Sequence, residues 1–246
     1  MLDFATRKAG LKPYGVGKYG SAFSPMDLTS LYAWYRSDRG ITKDGSNRVS
    51  KWNDLSGNAH HVVQTGDANK QPLWTANGIQ FDSGDQLVNG EVSAHSNTNG
   101  LTAFAVINLT DAGGTVRSII SKYLTTDDKR EWMLAASWAR VMEDGTFDVN
   151  YSADIAAGAA TGLQLLELHW TPGDKVKIYK DSSLEDSSDN AITDAENTNA
   201  DLTIGLQDGG GDAAVGVYKE IIVVSEDVSG FDLTKTRNYL TNMYGL

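Results

Sequence analysis

The chain contains no cysteine. Disulfides, thiolate catalysis and cysteine-ligated zinc are thereby excluded, while the redox compartment stays open. Proline is scarce, 4 residues against 25 glycines, a balance that suits many tight turns between strands. No apolar run approaches the ~18 residues of a membrane span. The opening MLDFATRKAG lacks the apolar stretch of a secretory signal, so the chain is expected either not to use that route or to have lost its signal. Basic residues are outnumbered, 21 Lys and Arg against 32 Asp and Glu, giving a net charge of -11. An acidic surface repels phosphates, which argues against nucleic acid as a partner. Four histidines, His60, His61, His95 and His169, show no zinc-ligand spacing and are expected on loop and strand surfaces. The Gly-rich DGGGD (208–212) lacks the lysine and the following helix of a phosphate loop, and no nucleophile triad can be singled out.

What is present is 246 residues with 40% hydrophobic content, enough for one large β domain. The charge is uneven. Arg7, Lys8, Lys12 and Lys18 face one acid, Asp3, in the first 25 residues, which also carry Tyr14, Tyr19 and Phe23 between Gly15, Gly17 and Gly20. That stretch has no helix or strand period and reads as an extended arm over 1–25 that either docks on a neighbour or frays.

The body, 26–246, alternates short apolar runs with turns. Residues 30–38 read as a strand with Tyr32, Trp34 and Arg36 on one face and Leu31, Ala33 and Tyr35 on the other. LTAFAVINL (101–109) is a near-continuous apolar strand and therefore central; Gly113-Gly114 suggests a hairpin to the strand at 116–124. Residues 131–142 allow a helix by propensity but read as one or two strands among strand neighbours. The runs 163–170 and 175–181, joined at Pro172-Gly173, form a second hairpin. The acidic stretch 185–201 reads as a long solvated loop. Ile221 to Val224 imply an inner strand, and Asp232 is placed to cap a helix that carries Leu233, Thr236, Leu240 and Met243 on one face and stops at Gly245. About a dozen short strands and one helix predict two stacked antiparallel sheets.

Four segments in order carry a resemblance. KWNDLSGNAHHVVQ resembles a W-x-D-x-S-G-N opening, and Pro72 followed by NGIQFDSGDQL resembles a P…N-G-x-x-F-D-G-x-D-x-L segment. LELHWTPGDKVKIYKDSS is similar to a hairpin that usually ends Y-V-D-G, from which Lys180 and Ser182 depart. The ending LTIG…VYKEIIVVSEDVSGFDLTKTRNYLTNMYGL is similar to a strand-and-helix close, with Asn242-Met243 near the usual lysine. Together they resemble the laminin-G-like, concanavalin A-like lectin superfamily, in the branch found in phage virion and bacterial surface proteins. The resemblance covers most of 30–246 and implies an all-β, two-sheet antiparallel jelly-roll sandwich with an extended N-terminal arm and a short C-terminal helix.

Glycosidases of that superfamily place carboxylates at E-x-D-x-E or E-x-D-x-x-E on one strand, so that alternate side chains reach the sugar from one side. No such strand is found here, and the chain is expected not to be an enzyme. Trp74, in QPLWTANG, is the tryptophan most suited to exposure; with Asp82 and Asp85 it forms the candidate carbohydrate-binding set, whereas Trp34, Trp52, Trp132, Trp138 and Trp170 mostly suit a core. Asp208 and Asp212 are the candidate calcium ligands, against ordinary turn aspartates, and no other cofactor is expected.

Two functions follow. The first is a non-enzymatic virion structural protein, a lectin-like domain decorating a phage capsid or tail as a homo-oligomer and fastened through Arg7, Lys8, Lys12, Tyr14, Lys18, Tyr19 and Phe23 to other virion proteins. The second is a carbohydrate-binding or adhesion module, extracellular or on a cell surface, with a host glycan as partner and calcium as a possible ion. Neither involves nucleic acid or a membrane.

Overall fold

A computed structural model describes residues 23–90, 99–111, 117–124, 129–143, 152–155, 161–196, 198, 200–206 and 212–246. Among them the chain forms two antiparallel sheets stacked face to face and one α-helix. The first sheet runs β15 (Ser183–Ile192), β14 (Asp174–Lys180), β13 (Gly162–Trp170), β8 (Leu101–Leu109), β18 (Gly216–Val224), β6 (Gly78–Phe81) and β5 (Leu73–Thr75), with β1 (Leu31–Arg36) also on β18. The second runs β12 (Ser152–Asp154), β11 (Trp138–Val141), β10 (Lys129–Ala135), β9 (Arg117–Leu124), β16 (Leu202–Gly205), β7 (Gln86–Asn89), β4 (Val62–Val63), β3 (Val49–Trp52) and β2 (Ile41–Lys43). A short β17 (Asp212–Ala213) lies parallel to β9.

The apolar continuity of β8 and β18 has its cause in this stacking. Ala103, Ala105 and Ile107 face the second sheet across a core that includes Trp52, Trp132 and Tyr218, while Phe104 and Val106 face the other way beneath the helix. A strand covered on both faces has no polar side to alternate. β18 is the inner strand that Ile221 to Val224 imply. The helix α1 (Gly230–Tyr244) buries Thr236 and Leu240 against the first sheet, and Leu233 packs there too, but Met243 is exposed. Gly245 ends it in the left-handed region, φ 73°, and its N–H bonds to the Thr241 carbonyl. The N-cap is Ser229 rather than Asp232, which lies in the first turn, where its charge still complements the dipole.

Four expectations are corrected. β8 and β9 are not a hairpin: β8 pairs β13 and β18 while β9 pairs β10 and β16, so the chain crosses between sheets there. The stretch from Ser183 to Ile192 is a strand, not a loop. It is the outer edge of its sheet, and a solvated edge strand carries the charge that mimics a loop. Tyr32 joins Ala33 and Tyr35 in the intersheet core rather than sharing a face with Trp34, because the register with β18 slips between Leu31 and Ala33. His169 is buried, not on the surface. The second predicted hairpin, β13–β14, is present, and 131–142 forms two strands, β10 and β11.

Candidate functional site

The opening W-x-D-x-S-G-N segment is structural. Trp52 is fully buried and its indole N–H donates to the Arg36 carbonyl at 2.9 Å. Asp54 Oδ1 accepts the backbone N–H groups of Trp34 and Ser56 at 2.9 and 2.8 Å, and its Oδ2 accepts from His60 N–H and the Ser56 hydroxyl. The Asn58 amide donates to the Leu31 and Tyr32 carbonyls. These residues pin a loop to β1 and are not free to meet a ligand.

Trp74, Asp82 and Asp85 do not converge on one surface. On β5 successive side chains point to opposite faces. Leu73 lines a shallow cleft of about 160 Å³ with Arg48, Asp82 and Asp85, whereas Trp74 lines a separate cleft of about 300 Å³. Asp85 pins the turn that carries the chain from β6 to β7 in the other sheet: its Oδ2 accepts the Asp82 N–H at 2.7 Å, and Gly205 (φ +90°) presses so close that a Cβ there would sit 2.4 Å from the Asp85 carbonyl oxygen. Asp208 lies outside the described residues, and of Asp212 only the main chain, paired with Arg117 in β17, is described. Among the described residues no three His, Asp or Glu side chains group as a metal site.

Burial raises the Asp85 carboxyl to about 6, with the Asp82 N–H opposing. An acid whose folded pKa is raised holds a proton that the unfolded chain releases. Stability is therefore greatest below about 4, falls as pH climbs to about 6, and is flat above, a loss on the order of 2 kcal/mol. Asp85→Asn keeps an oxygen for the Asp82 N–H and removes the titration. It is expected to raise stability at pH 7.5 by that amount and to flatten the decline between pH 4 and 6.5 in urea melts.

The Trp74 cleft sits in a notch of the first sheet. Along its outer edge β18 pairs with β6 through Gly216 to Tyr218, then with β1 from Glu220 to Val224. Lys219 falls between the two partners, and on the opposite edge the register with β8 slips at that same residue. Ser37 N–H donates to the Lys219 carbonyl at 2.9 Å, closing one side of the notch. Gly78 makes its floor: φ is +132°, and a Cβ would lie 2.6 Å from the Tyr218 carbonyl oxygen.

Around the notch stand Arg36, Asp38, Asn77, Lys219 and Tyr244 beside the half-buried Trp74. The indole N–H donates to the Ser37 carbonyl at 3.3 Å, and the Lys43 ammonium lies 4.2 Å from the ring centroid. Arg36 clasps Asp38 with two bonds, 3.0 and 2.7 Å. Tyr244 donates to buried Glu220, which also accepts from Trp34 and Tyr239. The cleft thus joins an aromatic surface to fixed donors and acceptors, a combination suited to a polyhydroxylated ligand. Of its members only Trp74 is visible by residue type; Arg36, Asp38, Asn77 and Lys219 are assembled by pairing across sequence distance.

No family model matches the chain, and no curated protein matches it. Among solved structures, the Trypanosoma rangeli sialidase in complex with sialic acid matches with a TM-score of 0.58 at 11% identity, over 87% of this chain and 33% of that one. The binding domain of Paraclostridial Mosquitocidal Protein 1 matches with a TM-score of 0.59 at 11% identity, over 90% and 53%. The botulinum neurotoxin serotype D binding domain matches with a TM-score of 0.57 at 12% identity, over 85% and 52%. The chain spans about a third of the sialidase and about half of each toxin domain. At such identities the likeness is one of fold: a two-sheet β-sandwich shared by enzymes and by non-enzymatic binding domains.

Proposed function

We propose that this chain is a non-catalytic, lectin-like recognition module that binds a saccharide in the notch beside Trp74. The observation that carries the reading is the notch itself, a cleft of about 300 Å³ where an indole adjoins an arginine–aspartate clasp, an exposed amide and an ammonium. Sugars present apolar C–H faces and rows of hydroxyls, which an aromatic edge and paired donors and acceptors match. The jelly-roll resemblance and the toxin binding domains among the structural neighbours support the same reading. Glycan-array binding by the intact chain is the test. Trp74→Ala is expected to reduce that binding at least tenfold with the fold retained by circular dichroism, and undiminished binding would reject the site.

A second reading, decoration of a phage capsid or tail by copies of the module, draws on Phe23. That residue stands edge-on to Tyr239, ring centroids 6.0 Å apart, in a groove of about 510 Å³ along α1. The segment carrying Arg7, Lys8, Lys12, Tyr14, Lys18 and Tyr19 precedes Phe23 in sequence and lies outside the described residues. On this reading, removal of residues 1–22 leaves the melting temperature unchanged and abolishes incorporation into particles; normal incorporation of the shortened chain would reject it.

A further inference from the structure

We infer that the saccharide taken by the notch carries a carboxylate, and that Lys219 reads it; this rests on the saccharide reading above. The argument begins with backbone register. Lys219 is the extra residue of a β-bulge, and a bulge turns a side chain out of the alternation its strand would impose. Here the slip falls in the gap between β6 and β1, where Ser37 bonds to the Lys219 main chain, and the Lys219 side chain lines the cleft.

The surrounding charges are disposed unequally. Asp38 is held by both arms of Arg36 and also lies 3.6 Å from Arg39, so its charge is already matched. Glu220 is behind the cleft wall, where three donors, from Trp34, Tyr239 and Tyr244, satisfy it. Lys219, by contrast, has no carboxylate within ion-pair distance among the described residues; its ammonium donates to the Asn77 carbonyl, which leaves donors over. Lys43, over the indole, meets the Asn47 side-chain oxygen and likewise no carboxylate among the described residues. Partial burial of an ammonium without a counter-charge is unfavourable, and burial indeed pulls the Lys219 pKa down. In a chain with net charge -11, Lys219 in the cleft wall and Lys43 over the cleft's indole, each without a carboxylate partner among the described residues, make a local site for an anion.

The ligand class follows from the rest of the wall. A bare anion would need no aromatic face. An uncharged sugar would leave the Lys219 ammonium without a counter-charge. A uronic acid residue meets both: its carboxylate pairs with Lys219, its C–H face lies on Trp74, and its hydroxyls meet Asn77 and Asp38.

The test compares trigalacturonic acid with galactotriose, the corresponding neutral trisaccharide, by titration calorimetry on the full chain. The acid is expected to bind at least tenfold more tightly than the neutral sugar, with affinity falling as salt rises from about 20 to 300 mM. Lys219→Met keeps the apolar stem and removes the charge. It is expected to bring the two sugars within a factor of two of each other while the melting temperature stays as in the parent. Equal binding of the two sugars by the parent chain, or a preference unchanged in Lys219→Met, overturns the inference while leaving the saccharide reading standing. If neither sugar binds the parent chain and the glycan array is also blank, the saccharide reading falls and the inference with it.

Discussion

Lys122→Met is expected to cost about 3–5 kcal/mol of folding stability, whereas Lys122→Met combined with Glu131→Leu is expected to cost little or to stabilise the chain. Lys122 lies opposite Leu202 on β16 and Trp132 on β10, and both of those face the intersheet core, so the lysine faces it too. Its ammonium meets Glu131 at 3.0 Å, and both side chains are fully excluded from solvent. Glu131 sits where the β9–β10 register slips, between Arg130 and Trp132, which turns its carboxyl toward the lysine. Thr198 supplies two more bonds, from its N–H at 2.9 Å and its hydroxyl at 3.1 Å.

Burial pulls the Lys122 ammonium down in pKa and pushes the Glu131 carboxyl up to about 7, each opposed by the other's charge. Removing the cation alone leaves a carboxylate in an apolar core whose remaining side-chain bonds among the described residues come from Thr198. Removing both leaves apolar side chains of similar volume and the Thr198 N–H and hydroxyl without their acceptor, a smaller penalty of about 1–3 kcal/mol that the gain in apolar packing offsets. Urea melts of the parent, both single variants and the double variant measure the coupling. Additive single-variant losses would show that the pair contributes no coupling.

How much of this was legible in the residues follows from the range of each interaction. β8 and β18 declare themselves because burial on both faces removes alternation, a purely local signature. The end of α1 is equally local: Gly245 is needed at a left-handed position one residue past the helix. Tyr32 shows the limit. Its placement depends on a register slip against β18, nearly two hundred residues later, and no local pattern encodes it. The edge strand from Ser183 is misread for the opposite reason, since solvent exposure makes strand and loop alike in composition. In the notch, residue type and context single out Trp74, but Lys219 looks like an ordinary strand lysine until β6 and β1 are seen to part around it. Asp82 and Asp85 are legible as candidate sugar ligands by residue type and not as belonging to a different face from Trp74, because which side of β5 each touches is settled by pairing alone.

The same dependence on distant partners governs the second large effect, in the layer between α1 and the first sheet. Glu167, fully buried on β13, accepts Arg237 of the helix through Nε at 3.0 and 3.1 Å and Nη2 at 2.8 Å, and contacts His169 Nε2 at 2.9 Å. His169 Nδ1 faces Asp227 at 3.0 Å, and Thr171 donates its hydroxyl to that aspartate's other oxygen at 2.9 Å. With a carboxylate at each nitrogen the ring is held as imidazolium. Burial opposes the charge, but the bonds to Asp227 and Glu167 outweigh it, and the His169 pKa is raised. Burial disfavours the Asp227 carboxylate, but the bond to His169 and its charge, with the Thr171 hydroxyl and the Lys177 charge, together outweigh it, and the Asp227 pKa is lowered.

The sign of each linkage is fixed. Stability from a raised histidine is complete below its unfolded value near 6.5 and is lost as pH rises through the folded value. Stability from a lowered aspartate is present above its unfolded value near 3.8 and is lost as pH falls through the folded one. Taken by itself, this pair contributes most between about pH 4 and 6.5 and less on either side, superimposed on the decline that Asp85 imposes between about 4 and 6.

Glu167→Gln keeps the shape and removes the charge that both His169 and Arg237 face. The expected loss is about 3–5 kcal/mol near pH 6, because two cationic groups then share Asp227 and a neutral amide. His169 should titrate at lower pH, so the alkaline decline should still begin near 6.5 but end sooner and span a narrower range. The amides of α1 should exchange with solvent faster than those of β8, since Arg237 is a direct tie from the helix to the sheet. Stability curves from pH 4 to 9 and hydrogen exchange measure both. If the variant runs parallel to the parent across that range, the imidazolium contributes nothing, and the packing of Leu240 with the Tyr239 and Tyr244 bonds to Glu220 holds the helix to its sheet.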